Sequence, residues 1–268
     1  MKLIRTFHAF VFASVFLCAL GAGVHAQQEQ ENPSDAETVI ARAVAYLGGE
    51  RYLKITTQIS RGKFSVIRDG VVVSFQSFHD TIVFPDKERT EFRSGKIRNV
   101  QANFGEQGWV YDGNMDAIRD QTEIQLQNFR RGMRVSLDNL LRGYWRGQAT
   151  LEYVGRRPAT LGKRNDVIKL TYDDGFTVEF EIGADDGVPA KAIHVRLNMD
   201  NEEIVEEDRY AQFIENAGVR SPFVIDRFTN GTHTSRINVE SIQYDRPIAG
   251  SIFDKPADVR TLRRSLQL

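Results

Sequence analysis

Cysteine is nearly absent from this sequence: among 268 residues there is one, Cys18. A single thiol excludes an internal disulfide and a cysteine-ligated metal site. No excess of one charge sign exists either. Lys and Arg number 35 against 36 Asp and Glu, a formal net charge of −1. Nothing in that balance draws the chain to nucleic acid, and no nucleic-acid partner is expected. Long hydrophobic runs are also missing. The most extended apolar stretch, Ala9 to Leu20, falls short of the ~20 residues that a membrane-crossing helix needs, so the protein is not expected to span a membrane. The patterns HExxH, GxSxG, Walker A and GxGxxG do not occur, which removes the common zinc hydrolase, serine hydrolase and nucleotide-binding signatures.

What is present is a globular composition, 41% hydrophobic and 26% charged. Residues 1–26 read as a signal peptide. Lys2 and Arg5 precede the apolar stretch, and Val24-His25-Ala26 offers small residues at the cleavage positions. Leu17 before Cys18 is too large for lipoprotein processing. The expected location is the periplasm. Gln27 to Pro33 is polar and reads as a tether. Residues 34–268 contain no Pro/Gly/Ser-rich linker and are expected to form one domain.

The patterning predicts a helix, about five strands, a second helix and about six strands. Ser34-Asp35-Ala36-Glu37 opens the first helix as a capping box. Ile40, Ala43, Val44 and Leu47 form its apolar stripe, and Gly48-Gly49 ends it. From Gln58 the period becomes two, with hairpins expected at Asp69-Gly70 and Ser94-Gly95. Thr122 and Gln125 form another capping box. Leu126, Phe129, Met133, Leu137, Leu140, Leu141 and Tyr144 then recur at helical spacing, predicting one long amphipathic helix.

Phe176, Val178, Phe180 and Ile182 alternate with polar residues. Ile193, Val195, Leu197 and Met199 alternate with His194, Arg196 and Asn198, which places His194 on a polar face. In the last strand Ile237 and Val239 are out of phase with Ile242 and Tyr244, predicting a bulge near Glu240. An antiparallel sheet this wide must curl and must cover its apolar face. The expected fold is α+β, mainly β: a curved antiparallel sheet, an open half-barrel, with helices on its concave face.

Four segments carry a family resemblance. Val44-Ala45-Tyr46-Leu47-Gly48-Gly49, Gly108-Trp109-Val110-Tyr111-Asp112-Gly113, Ala217-Gly218-Val219-Arg220-Ser221-Pro222-Phe223 and Ile252-Phe253-Asp254-Lys255-Pro256 resemble, in order and spacing, segments of LolA-like, outer-membrane lipoprotein-sorting proteins. The resemblance implies a half-barrel with a helical lid and an apolar interior. It also implies carriage of acyl chains or lipoproteins across the periplasm.

The residues expected to line a ligand cavity are Phe75, Phe92, Phe104, Trp109, Phe129, Met133, Leu137, Phe176 and Phe180. Arg134, Arg142 and Arg146 step along the second helix with Asp138. They read as a solvated face or a surface for an anionic partner. Asp112, Asn114, Asp116, Asp120 and Glu123 match calcium-loop spacing, but Ala117 stands where that loop needs glycine. They read as a polar turn, and no metal or cofactor is expected. His79, His194 and His233 are scattered, and no catalytic role is assigned. The expected function is a periplasmic carrier or binder of a lipid or lipoprotein. The alternative is a sensor or interaction module with a closed core and an envelope protein partner.

Overall fold

The first helix begins where a side chain meets an otherwise unpaired backbone amide. Asp35 accepts a hydrogen bond from the Glu37 amide and caps α1 (Ala36–Leu47). Ser34 lies outside the residues the computed structural model describes, 35–198 and 200–268. The expected signal peptide and tether lie outside them too. Gly48 ends α1, and α2 (Glu50–Leu53) follows.

Six strands then run as a meander: β1 (Thr57–Arg68), β2 (Val71–Val83), β3 (Lys87–Ser94), β4 (Ile97–Phe104), β5 (Gln107–Asp112) and β6 (Ala117–Asp120). Asp69 and Gly70 both take positive φ at the β1–β2 turn, as a two-residue hairpin requires. The β3–β4 turn is Gly95-Lys96, one residue later than expected, since Ser94 pairs with Ile97. The β6 strand is an addition: its residues sit where the sequence reads as a turn.

The expected long helix is two helices. Ser136 is extended, with ψ 148°, between α3 (Glu123–Val135) and α4 (Leu137–Arg142). Its hydroxyl accepts from the Asn139 amide and caps α4. Serine bonds its own backbone well enough to start a new helix where heptad periodicity reads straight through. The capping box of Thr122 and Gln125 forms as expected.

Seven strands complete the sheet: β7 (Ala149–Pro158), β8 (Arg164–Tyr172), β9 (Thr177–Gly183), β10 (Pro189–Leu197), β11 (Glu203–Asn216), β12 (Val219–Thr229) and β13 (Thr232–Tyr244). A short helix, α5 (Val259–Ser265), follows them and was not expected. All pairings are antiparallel, and the order is β6-β5-β4-β3-β2-β1-β13-β12-β11-β10-β9-β8-β7. The sheet does not close on itself, and β6 and β7 are its edges. The two meanders join through β1 and β13, where Gln58 pairs with Tyr244 and Val66 with Ser235.

Helices α1, α2 and α4 cover the concave face toward β8–β10. Val39, Ala43, Leu140, Ile168, Leu170 and Phe180 are buried there. A second cluster lies on the convex face, where Leu262 of α5 packs on Val100, Ala102, Trp109 and Tyr111. The parity of β10 is opposite to expectation. Ala192 pairs with Phe180 and is buried, whereas Val195 and Leu197 are exposed. Ala192 lies opposite the buried Phe180 and His194 opposite the buried Val178, so both face inward. The outward Val195 pairs with Val205 instead.

Candidate functional site

The helices do not cover the whole concave face. Between α3, α4 and the central strands lies a hollow of about 650 Å³, within the range of small-molecule sites. Its walls follow the strand register. One row across the sheet runs Phe92, Phe78, Gly62 and Val239. A second runs Phe64, Ile237, Ile225 and Tyr210. All of these except Gly62 line the hollow.

Two local features build those rows. Arg61 pairs with Ser241 and Gly62 with Val239, so Glu240 is the extra residue of a bulge, as the broken phase predicted. The bulge puts Ile237, Val239, Ile242 and Tyr244 all on the hollow. Gly62 is required beside it. A Cβ there would lie 2.0 Å from the Asn238 carbonyl oxygen and 2.9 Å from the Phe78 ring.

Beside the apolar rows runs a polar one: Gln101, Thr90, Asp80 and Ser60. Thr90 Oγ1 lies 2.8 Å from Asp80 Oδ1 and 3.3 Å from Glu88 Oε1. Burial, then the neighbouring Glu88, pushes the Asp80 carboxyl well above the usual range, and burial raises Glu88. Asp208, also raised by burial, sits 3.4 Å from Arg227 Nε. The hollow is therefore amphipathic, and burial disfavours ionisation of Asp80, Glu88 and Asp208.

Of the nine residues expected to line a cavity, Phe92 and Leu137 do so. Phe180 is fully buried in the helix-covered core. Phe176 packs at the edge of that core against Tyr172 and His194. Phe129 and Met133 are half-buried on α3, but the lining takes Gly132, Val135 and Ser136 instead. Trp109 belongs to the convex cluster, with Phe104 beside it, and its Nε1 donates to the Phe253 carbonyl at 2.7 Å.

Phe75 is 61% exposed. It lies one phase away from Phe78, and spacing alone cannot choose between two phenylalanines three apart in a strand. The residues missed are Phe64, Phe78, Tyr210, Ile225, Ile237, Val239 and the polar row. The bulge at Glu240 and the expected Phe92 were the signals that pointed to this part of the sheet.

The three arginines do not form a stripe. Ser136 separates Arg134 from the others, and it bonds Asp174 at 2.6 Å. Arg146 pairs with Glu37 at 2.9 Å. The Arg142 side chain is only 3% exposed. It lies over the Tyr52 and Phe84 rings and donates to the Ile55 carbonyl.

The calcium-loop residues are used one by one along the β5–β6 hairpin and at the start of α3. Asp112 accepts from the Asn114 amide, Asp116 pairs with Arg263, Asp120 with Lys255 and Glu123 with Arg130. No cluster of metal-ligating side chains occurs among the described residues. His233 lies 2.9 Å from Asp226 and stacks on Phe228. His194 is held near pKa 4 by burial and by Arg131. Among the described residues no serine or threonine hydroxyl bonds a histidine ring, and no helix is long and apolar enough to cross a membrane.

No family model matches this sequence, and no curated protein matches it. Solved structures do resemble it. A DUF1329 family protein from Desulfovibrio piger superposes with TM-score 0.58 at 13% identity, over 82% of this chain and 97% of that one. A LolA superfamily protein from Nitrosomonas europaea gives 0.57 at 13% identity, over 83% and 98%. A domain described as outer membrane lipoprotein-sorting, from Vibrio parahaemolyticus, gives 0.55 at 9% identity, over 82% and 98%. The chain thus has the fold shared by these proteins, an open antiparallel half-barrel. At such identities the likeness concerns the fold alone.

Proposed function

We propose that this protein binds and carries an acyl-bearing molecule, a lipid or the acylated end of a lipoprotein, across the periplasm. The observation that carries this reading is the unfilled hollow, with two apolar rows beside one polar row. An acyl chain laid on Phe92, Phe78, Phe64 and Ile237 would leave water at about 0.8 kcal/mol per CH₂. The polar end of the ligand would meet Asp80, Thr90 and Glu88. The family resemblance of the sequence and the lipoprotein-sorting description of one structural neighbour support the same reading. Export rests on the signal-like residues 1–26. Binding and release need no bond-making chemistry, so no catalytic role is assigned.

The test is native mass spectrometry of exported protein purified without detergent. The expected result is a mass excess that extracts into organic solvent. A bare mass, together with no displacement of a fluorescent fatty acid by lipids or lipopeptides, overturns the reading.

A second reading, an interaction module, is favoured by the β1–β2 hairpin tip. Val71, Val72, Val73 and Phe75 are all more than half exposed there, and grouped apolar exposure marks contact sites. Val72→Lys with Phe75→Lys should abolish capture of a protein partner and leave acyl binding unchanged.

A further inference from the structure

The convex face carries a smaller pocket, of about 260 Å³, on the side of β1, β2 and β13 opposite the hollow. Segment 247–252 and Gln267 complete its wall. Its character differs from that of the hollow. Arg61, His79 and Arg89 line it, and Ile59, Ile248 and Ile252 supply an apolar side.

His79 is 5% exposed and Arg89 3%. His79 Nδ1 and Arg89 Nε have no hydrogen-bond partner. Buried polar groups are paired in the great majority of cases, so an unpaired one is open to a partner. His79 and Arg89 both line the pocket, and each keeps one nitrogen without a partner, so this wall holds unused polar capacity.

The charges define that guest. Arg89 is partly neutralised by Glu91, 2.8 Å from its Nη1. Glu91 is itself engaged on its other oxygen by the Gln267 and Leu268 amides. Arg61 has no ion pair among the described residues, so the pocket carries uncompensated positive charge. Burial, then Arg61 and Arg89, lowers His79 to about 4. The ring is neutral under ordinary conditions and offers one N–H.

We propose that this pocket binds a small organic anion, with its carboxylate or phosphate group held by Arg61, His79 and Arg89. The short apolar part of the ligand lies on Ile248 and Ile252. Guanidinium groups suit such oxygens because they present N–H donors in a fixed fork. The site is independent of acyl binding, since it lies on the other face of the sheet.

The test is NMR of the His79 ring nitrogens and Arg89 Nε in the full chain. It is titrated separately with inorganic phosphate and with butyrate, against chloride at equal ionic strength. Saturable shifts with either anion, and a rise of the His79 pKa from about 4, are expected. Phosphate alone identifies a phosphate-bearing ligand, and butyrate alone a carboxylate. Arg61 is exposed, so Arg61→Gln should fold normally and weaken binding about tenfold, the loss of one charge-assisted contact. Small linear shifts equal to those of chloride, or full binding by Arg61→Gln, overturn the proposal and leave the orphan atoms to ordered water.

Discussion

The Tyr52 hydroxyl donates to Asp138 Oδ1 at 2.9 Å, tying α2 to α4 at the wall of the hollow. Arg142 Nε reaches the same oxygen at 2.7 Å. Burial, then Asp138, raises the Tyr52 phenol well above its ordinary pKa, so it remains a donor. Replacing Arg142 with Met would leave Asp138 short of a partner and the Ile55 carbonyl unbonded. Asp138 is one-third exposed, so losing its charged partner should cost about 2 kcal/mol, as a hydrogen bond to a charged group does. Tyr52→Phe should cost less, about 1.5 kcal/mol. Urea denaturation of both variants checks the order; equal, negligible losses would show that this wall is not held by the Asp138 network.

Gly132 lines the hollow, and nothing lies within 4 Å of where its Cβ would be. Glycine inside a helix is about 1 kcal/mol worse than alanine. Gly132→Leu should therefore keep or raise the melting temperature while blocking acyl binding. Retained binding of a fluorescent fatty acid would place the ligand elsewhere.

Asp80 gives a pH signature of known sign. Its folded pKa is raised, chiefly by burial. Its contribution to stability is complete below the ordinary carboxylate range and is lost as pH rises through the folded value. Asp80→Asn should match the parent in acid and become more stable than the parent near neutral pH. Thermal melts across that range test this, and parallel curves would contradict it.

Asp166 has the opposite sign. Burial works against its charge, but hydrogen bonds from Arg156, Arg42 and Tyr153 outweigh that and lower its pKa. Its stabilisation is present above the ordinary carboxylate range and is lost as pH falls through the folded value. Asp166→Asn should cost about 3 kcal/mol near neutral pH, as a broken buried ion pair does. The difference should shrink in acid, and denaturant melts at two pH values suffice to see it.

Leu262 anchors α5 against Trp109. Leu262→Asp should release the helix and shift Trp109 emission to the red, with acyl binding untouched on the opposite face. A Trp145→Phe background isolates the signal. Loss of acyl binding in step with the red shift would mean that the two faces are coupled.

The family-like segments prove to be structural junctions, and two of them also reach the hollow, through Leu47 and through Val219 to Pro222. Gly48 lies against Gly218, where an added Cβ would stand 2.3 Å from the Gly218 carbonyl oxygen. Arg220 donates to the Tyr46 carbonyl next to it. Trp109 donates to the Phe253 carbonyl. The four segments thus meet in two pairs, one on each face of the sheet. Each closes a contact between residues more than a hundred positions apart, which a sequence displays only as isolated glycines and aromatics.

Local chemistry by itself determined the cap of α3, the end of α1 at Gly48, the Asp69-Gly70 turn, the bulge at Glu240 and the half-barrel class. Each depends on a few neighbouring residues or on the two-residue period of a strand. Tertiary structure alone decided which face each strand shows to the helices. It turned Ala192 and His194 inward, sent Phe75 out and Phe78 in, and buried Trp109 under a helix from the far end of the chain. The physical reason is register. Alternation names two faces but not which is the inner one, and that choice is made by the neighbouring strand, fixed by pairings such as Phe180 with Ala192 and Phe64 with Ile237.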